Sequence, residues 1–161
     1  MTDQQLRIIH ETKGWRAGAA ELLRANKPTA DAVKQFESYW ITAGHHIREQ
    51  IADDRVLVCL LRHVLPAYDG DALELFRGEN VSRWEAGAVG LAWTPDVEIG
   101  RMFASGLNSI HTGGVLLRAR FEPAAIISGP SEHSKYLGEH QFTVDPFNAL
   151  FVSAVEWFPA V

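Results

Sequence analysis

The chain has 161 residues, of which 47% are hydrophobic and 22% are charged. This length suits one domain of ordinary size, and the composition excludes a disordered, collagen-like or coiled-coil protein. The net charge of −5 arises after residue 70, where six basic side chains accompany eleven acidic ones. A basic footprint for nucleic acid is therefore absent, and no nucleic-acid partner is indicated.

The chain shows no membrane or export signal. Its apolar runs are far shorter than the roughly 20 residues of a membrane-spanning helix, and its first residues lack the basic and apolar segments of a secretory signal. We therefore expect no membrane partner and a cytoplasmic location. The single cysteine, Cys59, lies in the apolar run 56–61 and is predicted to be a core residue. The histidines lack further ligands at metal-binding spacing, so no metal site is predicted.

Four helices are predicted in the first 70 residues, because apolar residues recur there at steps of three and four. Their expected ranges are about 2–14, 15–25, 33–51 and 55–65. Thr2 and Gln5 have the spacing of a capping box at the start of the first helix. Pro66 is expected to end the fourth helix.

The apolar period changes to two after residue 71, which predicts strands. The expected strands are about 73–77, 91–93, 115–121, 124–128, 140–144 and 151–158. One helix interrupts them, with Thr94 as its N-cap, Pro95 in its first position, and a buried stripe of Ile99, Met102 and Phe103. The prediction is an α+β protein in one domain, with a helical part at 1–70 followed by a β-rich part at 71–161.

Three short stretches of the β-rich part occur in a suggestive order. They are Leu-Phe-Arg-Gly at 75–78, Gly-Leu-Ala-Trp-Thr at 90–94 before a helix, and Gly-Glu-His-Gln-Phe-Thr-Val-Asp-Pro at 138–146. Together they resemble the ADP-ribosyltransferase fold, in the branch whose motifs are an arginine, a Ser/Thr-rich strand and a Glu-x-Glu strand. The resemblance covers about residues 73–158. It implies two packed sheets with NAD held between them, and transfer of ADP-ribose to an acceptor or hydrolysis of NAD.

The resemblance assigns five residues to cofactor binding. Arg77 matches the arginine that contacts the dinucleotide, where a planar cation can hold a phosphate at two points. Gly78 matches the position whose main chain approaches the nicotinamide carboxamide, which favours glycine. Thr94 matches the central hydroxyl of the Ser/Thr motif, with Trp93 beside it, and Phe103 matches the packing helix under the cleft.

The third motif departs from the family at its catalytic position. The resemblance places Glu139 at the first glutamate and Gln141 at the second, which normally stabilises the cationic sugar as nicotinamide leaves. Gln141 can hydrogen-bond a ribose hydroxyl but carries no negative charge, and the expected loss of rate is on the order of 10² to 10³ or more. A shift of two residues would instead make Glu139 the catalytic acid on the same strand face. The polar stretch 129–138 is expected to be a loop, which in the family often selects the acceptor.

These residues leave three interpretations open. The first is an NAD-dependent ADP-ribosyltransferase or NAD hydrolase, and the second is a catalytically degenerate relative that binds NAD or a protein partner. The third is an unrelated α+β protein, in which Arg77 pairs with Glu74 or Glu79, and Glu139 and Gln141 form the wet face of a strand.

Overall fold

The computed structural model describes every residue from 1 to 161. The chain divides into two compact units, a helical unit, Met1–Ala67, and a β-rich unit, Tyr68–Val161. The boundary lies close to residue 70, where the apolar period changes. None of the helices combines the length and apolar character that crossing a membrane requires.

The helical unit contains the four predicted helices. They are α1 (Asp3–Glu11), α2 (Trp15–Arg24), α3 (Ala30–Ile51) and α4 (Asp54–Val64). Thr2 and Gln5 form the predicted capping box. The Thr29 side chain accepts from Ala32 N at the start of α3. These side chains satisfy amides that a helix N-terminus leaves unpaired.

The apolar faces of these helices are buried, but Cys59 is not. Helix α4 buries Leu57, Leu60, Leu61 and Val64, whereas Cys59 is exposed. The prediction of a buried cysteine was wrong, because the run 56–61 is helical and a helix turns part of any continuous run outward.

The β-rich unit contains two three-stranded antiparallel sheets. In chain order its elements are β1 (Leu73–Asn80), α5 (Val81–Glu85), β2 (Ala92–Trp93), α6 (Val97–Ser105), β3 (Gly114–Phe121), β4 (Ile126–Ser128), α7 (Glu132–Tyr136), β5 (Phe142–Val144) and β6 (Leu150–Phe158). One sheet has the order β1-β3-β6 and the other the order β2-β5-β4. A core cluster includes Leu75 and Leu117 from the first sheet and Trp93 and Val144 from the second. The predicted α+β class, with helices before paired sheets, is confirmed.

Three helices lie between the strands rather than the single one predicted. The two additional helices, α5 and α7, have five residues each, which is too short for apolar periodicity to reveal them. Asn80 caps α5 and Ser131 caps α7 through their side chains. The stretch 129–138 is thus partly helical and not wholly a loop.

Helix α6 begins two residues later than predicted and buries a different face. Asp96, not Thr94, is its N-cap and accepts from the amides of residues 98 and 99. Met102 is 54% exposed, and the buried positions are Gly100 and Ala104. Small residues on that face bring the α6 backbone close to β1, which a stripe containing Met102 would prevent.

Candidate functional site

Arg77 lies in the second half of β1 and is held by two hydrogen bonds. Its Nε donates to Glu79 Oε2 at 2.8 Å, and its Nη1 donates to the Ala92 carbonyl at 2.7 Å. The guanidinium occupies the space where a side chain at position 90 would lie, since a Cβ on Gly90 would stand 2.1 Å from Nη2. Of the two acidic partners that the sequence offered, Glu79 is the one with which Arg77 pairs.

Glu79 is a fully buried carboxylate with four donors. Besides Arg77, it accepts from Arg83 Nη2 at 2.8 Å, from its neighbour's amide, Asn80 N, at 2.9 Å and from Gly90 N at 2.9 Å. Burial alone would raise the pKa of Glu79, but the two guanidiniums and the hydrogen bonds outweigh it and hold the pKa below its ordinary value. Glu79 is therefore charged at neutral pH, as a buried carboxylate with full partners can be.

Arg83 belongs to the same cluster, although sequence reasoning did not single it out. It lies on α5, four residues after Glu79, and its side chain is 45% exposed. Its Nη2 also lies 3.3 Å from Asn108 Oδ1. The signal in the sequence is spacing: Arg77 and Glu79 lie two apart on a strand, and Glu79 and Arg83 lie four apart at a helix start.

Position 78 requires glycine because α6 packs closely against it. A Cβ at this position would stand 2.3 Å from Ala104 N and 2.5 Å from Gly100 O. Both atoms belong to the backbone of α6, so neither can move aside cheaply. The close approach at Gly78 is thus made by α6, and the approach of a nicotinamide carboxamide to its main chain stays a prediction.

Trp93 and Thr94 are both buried where β2 meets β1. Trp93 donates from Nε1 to the Gly90 carbonyl at 3.0 Å and packs edge-on against Phe121. The backbone of Thr94 pairs with Phe76 in both directions, and its Oγ1 accepts from the amide of Asp96 at 3.2 Å. These contacts give both residues structural roles that link β1, β2 and the start of α6.

Phe103 lies on α6 and is half-buried. It precedes Ala104, one of the two small residues that face the strands. Phe103 is thus on a helix that packs against the strands, as predicted. The closest contacts of this helix with β1 are made by Gly100 and Ala104.

Glu139 and Gln141 precede β5 in a turn and do not belong to the strand. Gly138 (φ +73°) and His140 (φ +46°) flank Glu139 with left-handed backbone conformations. The prediction that the strand begins at residue 140 was wrong, since β5 begins at Phe142. The prediction that Glu139 and Gln141 share a strand face was also wrong, because these conformations break the alternation of an extended chain. Ser134 holds the turn: its carbonyl accepts from Glu139 N, and its Oγ accepts from Gln141 N at 2.7 Å.

Glu139 is half-buried. Burial raises the pKa of Glu139 above its ordinary value, and nearby His133 opposes this rise in part. A partly desolvated carboxyl group of this kind is typical of, but not restricted to, functional sites.

The strands that carry the three motifs are neighbours. Phe76 on β1 bridges Thr94, and β2 pairs with β5 through Trp93 and Phe142. Residues paired across antiparallel strands share a face, and neighbours along a strand alternate. Thr94 is therefore on the face of Phe76, and Arg77 is on the opposite one.

No protein-family model, curated protein or solved structure matches the chain. No group of three or more His, Cys, Asp or Glu side chains lies close enough together to hold a metal ion. Two places in the β-rich unit contain both charged side chains and residues of the three motifs: the arginine cluster with Arg77, and the turn with Glu139.

Proposed function

We propose that residues 68–161 form an ADP-ribosyltransferase-like unit that binds NAD and whose turnover is greatly weakened. The observation that carries the proposal is the adjacency of β1, β2 and β5, because the three motifs of the resemblance fall on neighbouring strands and in the order expected. Paired sheets with a shared core support the same interpretation.

Two features favour binding over turnover. Gln141 is neutral at the position where the family has its catalytic carboxylate, and a neutral amide cannot stabilise a cationic sugar by charge. In addition, Glu139 and Gln141 lie in a turn before β5 and do not share a strand face, as the Glu-x-Glu strand of the family requires. A site that has lost both the charge and the convergence of its groups retains affinity more readily than rate, since rate depends on groups placed for the transition state.

A second candidate function is slow NAD hydrolysis or ADP-ribose transfer that depends on Glu139. The observation that favours it is the raised pKa of this half-buried carboxyl group, held in a turn by two left-handed residues. Such tuning is common among groups that exchange protons in catalysis.

The test combines calorimetric titration of the purified protein with NAD and an assay of nicotinamide release. We expect binding without measurable release by the wild type, weaker binding in Arg77→Gln, and unchanged binding in Arg120→Gln, a control arginine on the exposed side of β3. Release that appears in Gln141→Glu would identify the missing charge as the defect. Release by the wild type that disappears in Glu139→Gln would favour the second candidate, and a wild type that does not bind NAD would contradict both.

A further inference from the structure

The basic side chains of the β-rich unit do not all have a carboxylate partner of their own. Four of its six basic side chains each have at least one carboxylate of their own: Arg101 with Glu98 and Glu156, Arg118 with Glu74, Arg120 with Glu122, and Lys135 with Glu132. Arg77 and Arg83 instead share the single carboxylate of Glu79. One uncompensated positive charge therefore remains at this cluster, in a unit that is acidic as a whole.

The carboxylate of Glu79 is fully used. Its Oε2 accepts from Arg77 Nε and Gly90 N, and its Oε1 accepts from Arg83 Nη2 and Asn80 N. Four donors fill the acceptor sites of a carboxylate. Because Glu79 is wholly buried, it cannot itself contact a ligand, and its effect is to fix the positions of the two guanidiniums.

The cluster reaches solvent mainly through Arg83. The side chain of Arg83 is 45% exposed, compared with 15% for Arg77. Glu85, the next acidic residue on α5, lies two positions further on and so points to a different side of the helix. Arginine offers five N–H donors in a planar fork that matches phosphate oxygens at two points.

We propose that Arg77, Glu79 and Arg83 form an anion site, in which Arg83 binds the diphosphate of the dinucleotide and Glu79 is the positioning residue for both guanidiniums. The proposal rests on the proposed function for the identity of the dinucleotide. A diphosphate suits the cluster because it is a compact group with negative charge on two phosphates. The two guanidiniums together carry one more positive charge than Glu79 neutralises, and this charge is available to an anion.

The experiment compares Arg83→Gln with Arg120→Gln in calorimetric titrations with NAD, with inorganic pyrophosphate and with adenosine, which lacks phosphate. We expect Arg83→Gln to bind NAD and pyrophosphate about tenfold more weakly, as for the loss of one charge-assisted hydrogen bond, and Arg120→Gln to match the wild type. Adenosine affinity should not change in either variant. Arg83→Lys, which keeps the charge but not the planar fork, should fall between the wild type and Arg83→Gln.

Each outcome separates the anion site from the proposed function. Wild-type binding of pyrophosphate that is lost in Arg83→Gln, without any binding of NAD, would support the anion site and contradict the proposed function. NAD affinity that is equal in Arg83→Gln and Arg120→Gln would overturn the role of Arg83 and leave the proposed function standing. If Arg83→Gln also loses affinity for adenosine, Arg83 has a structural role and the proposal is overturned. The same conclusion follows if Arg83→Gln unfolds while Arg83→Lys binds NAD and pyrophosphate as the wild type does.

Discussion

The two units of the molecule differ in what they bury. The seven buried polar or charged residues all belong to the β-rich unit: Glu79, Thr94, Ser109, Ser128, Ser134, Thr143 and Asp145. The buried side chains of the helical unit are apolar. The helical unit therefore relies on the hydrophobic effect and on caps at helix ends, whereas the β-rich unit also depends on specific hydrogen bonds inside its fold.

This difference concerns both stability and function. A buried polar group costs free energy unless its partners are present, so each such group fixes the geometry around it. The cluster of Glu79 joins β1, α5 and the segment before β2 through Arg77, Arg83 and Gly90. Such fixed placement of charge is what a binding site needs, and the buried charged residues, Glu79 and Asp145, both lie in the unit that carries the motifs.

The largest expected effect comes from Glu79→Gln. Removing the charge of a buried, paired carboxylate leaves two guanidiniums without their partner, and such changes cost about 3 to 5 kcal/mol. Urea unfolding followed by hydrogen exchange at β3 amides measures this loss in the β-rich unit. Glu122→Gln, an exposed carboxylate paired with Arg120, is the control and should change the unfolding free energy by less than about 1 kcal/mol.

The same carboxylate makes the β-rich unit sensitive to acid. Because the pKa of Glu79 is below its ordinary value of 4.5 in the folded protein, its contribution is complete above that pH and is lost as the pH falls through the lowered pKa. Glu79→Gln should flatten this acid-side loss of stability. An equally steep loss in the variant would show that other carboxylates cause it.

Gly78→Ala should cost somewhat less, about 3 kcal/mol, because its Cβ would meet the backbone of α6 and separate the helix from β1. Thermal unfolding of the variant measures the loss. Gly129→Ala is the matched control, since no atom lies closer than 3.9 Å to the added Cβ. A variant at 78 as stable as that control would mean that α6 does not pack as tightly as its contacts indicate.

The sequence revealed local rules better than long-range partnerships. The steps of three and four predicted all four helices of the first unit, and Thr2 with Gln5 predicted its first cap. In the β-rich unit, the sequence did not reveal the pairing of Arg83 with Glu79. Glu79 is on β1 and Arg83 is on the short helix α5 that follows directly, and this junction was not predicted. Glu139 and Gln141 were placed on a strand because nothing in a residue such as His140 signals a left-handed conformation, although Gly138 allowed one.

A polar contact of a buried tryptophan in the helical unit tests the same contrast between the two units. Trp15 is fully buried, and its indole N–H donates to His10 Nδ1 at 3.3 Å, while the His10 ring stacks on Tyr39. His10→Phe keeps the stacking but leaves the indole donor without this acceptor, which should cost about 1 to 3 kcal/mol. Urea unfolding followed at α1 and α2 amides measures it, with His46→Phe on the exposed side of α3 as control.

The smallest expected effect distinguishes the observed start of α6 from the predicted one. Asp96→Ala removes a side chain that accepts from two helix amides and should cost about 1 kcal/mol, the usual value of an N-cap. Thr94→Val removes only the acceptor for the amide of Asp96 and keeps the volume of a buried residue, so its effect on hydrogen exchange within α6 should be smaller. A larger loss of protection in α6 from Thr94→Val than from Asp96→Ala would mean that the helix begins where its sequence predicted, and that the hydroxyl of the Ser/Thr motif is its cap.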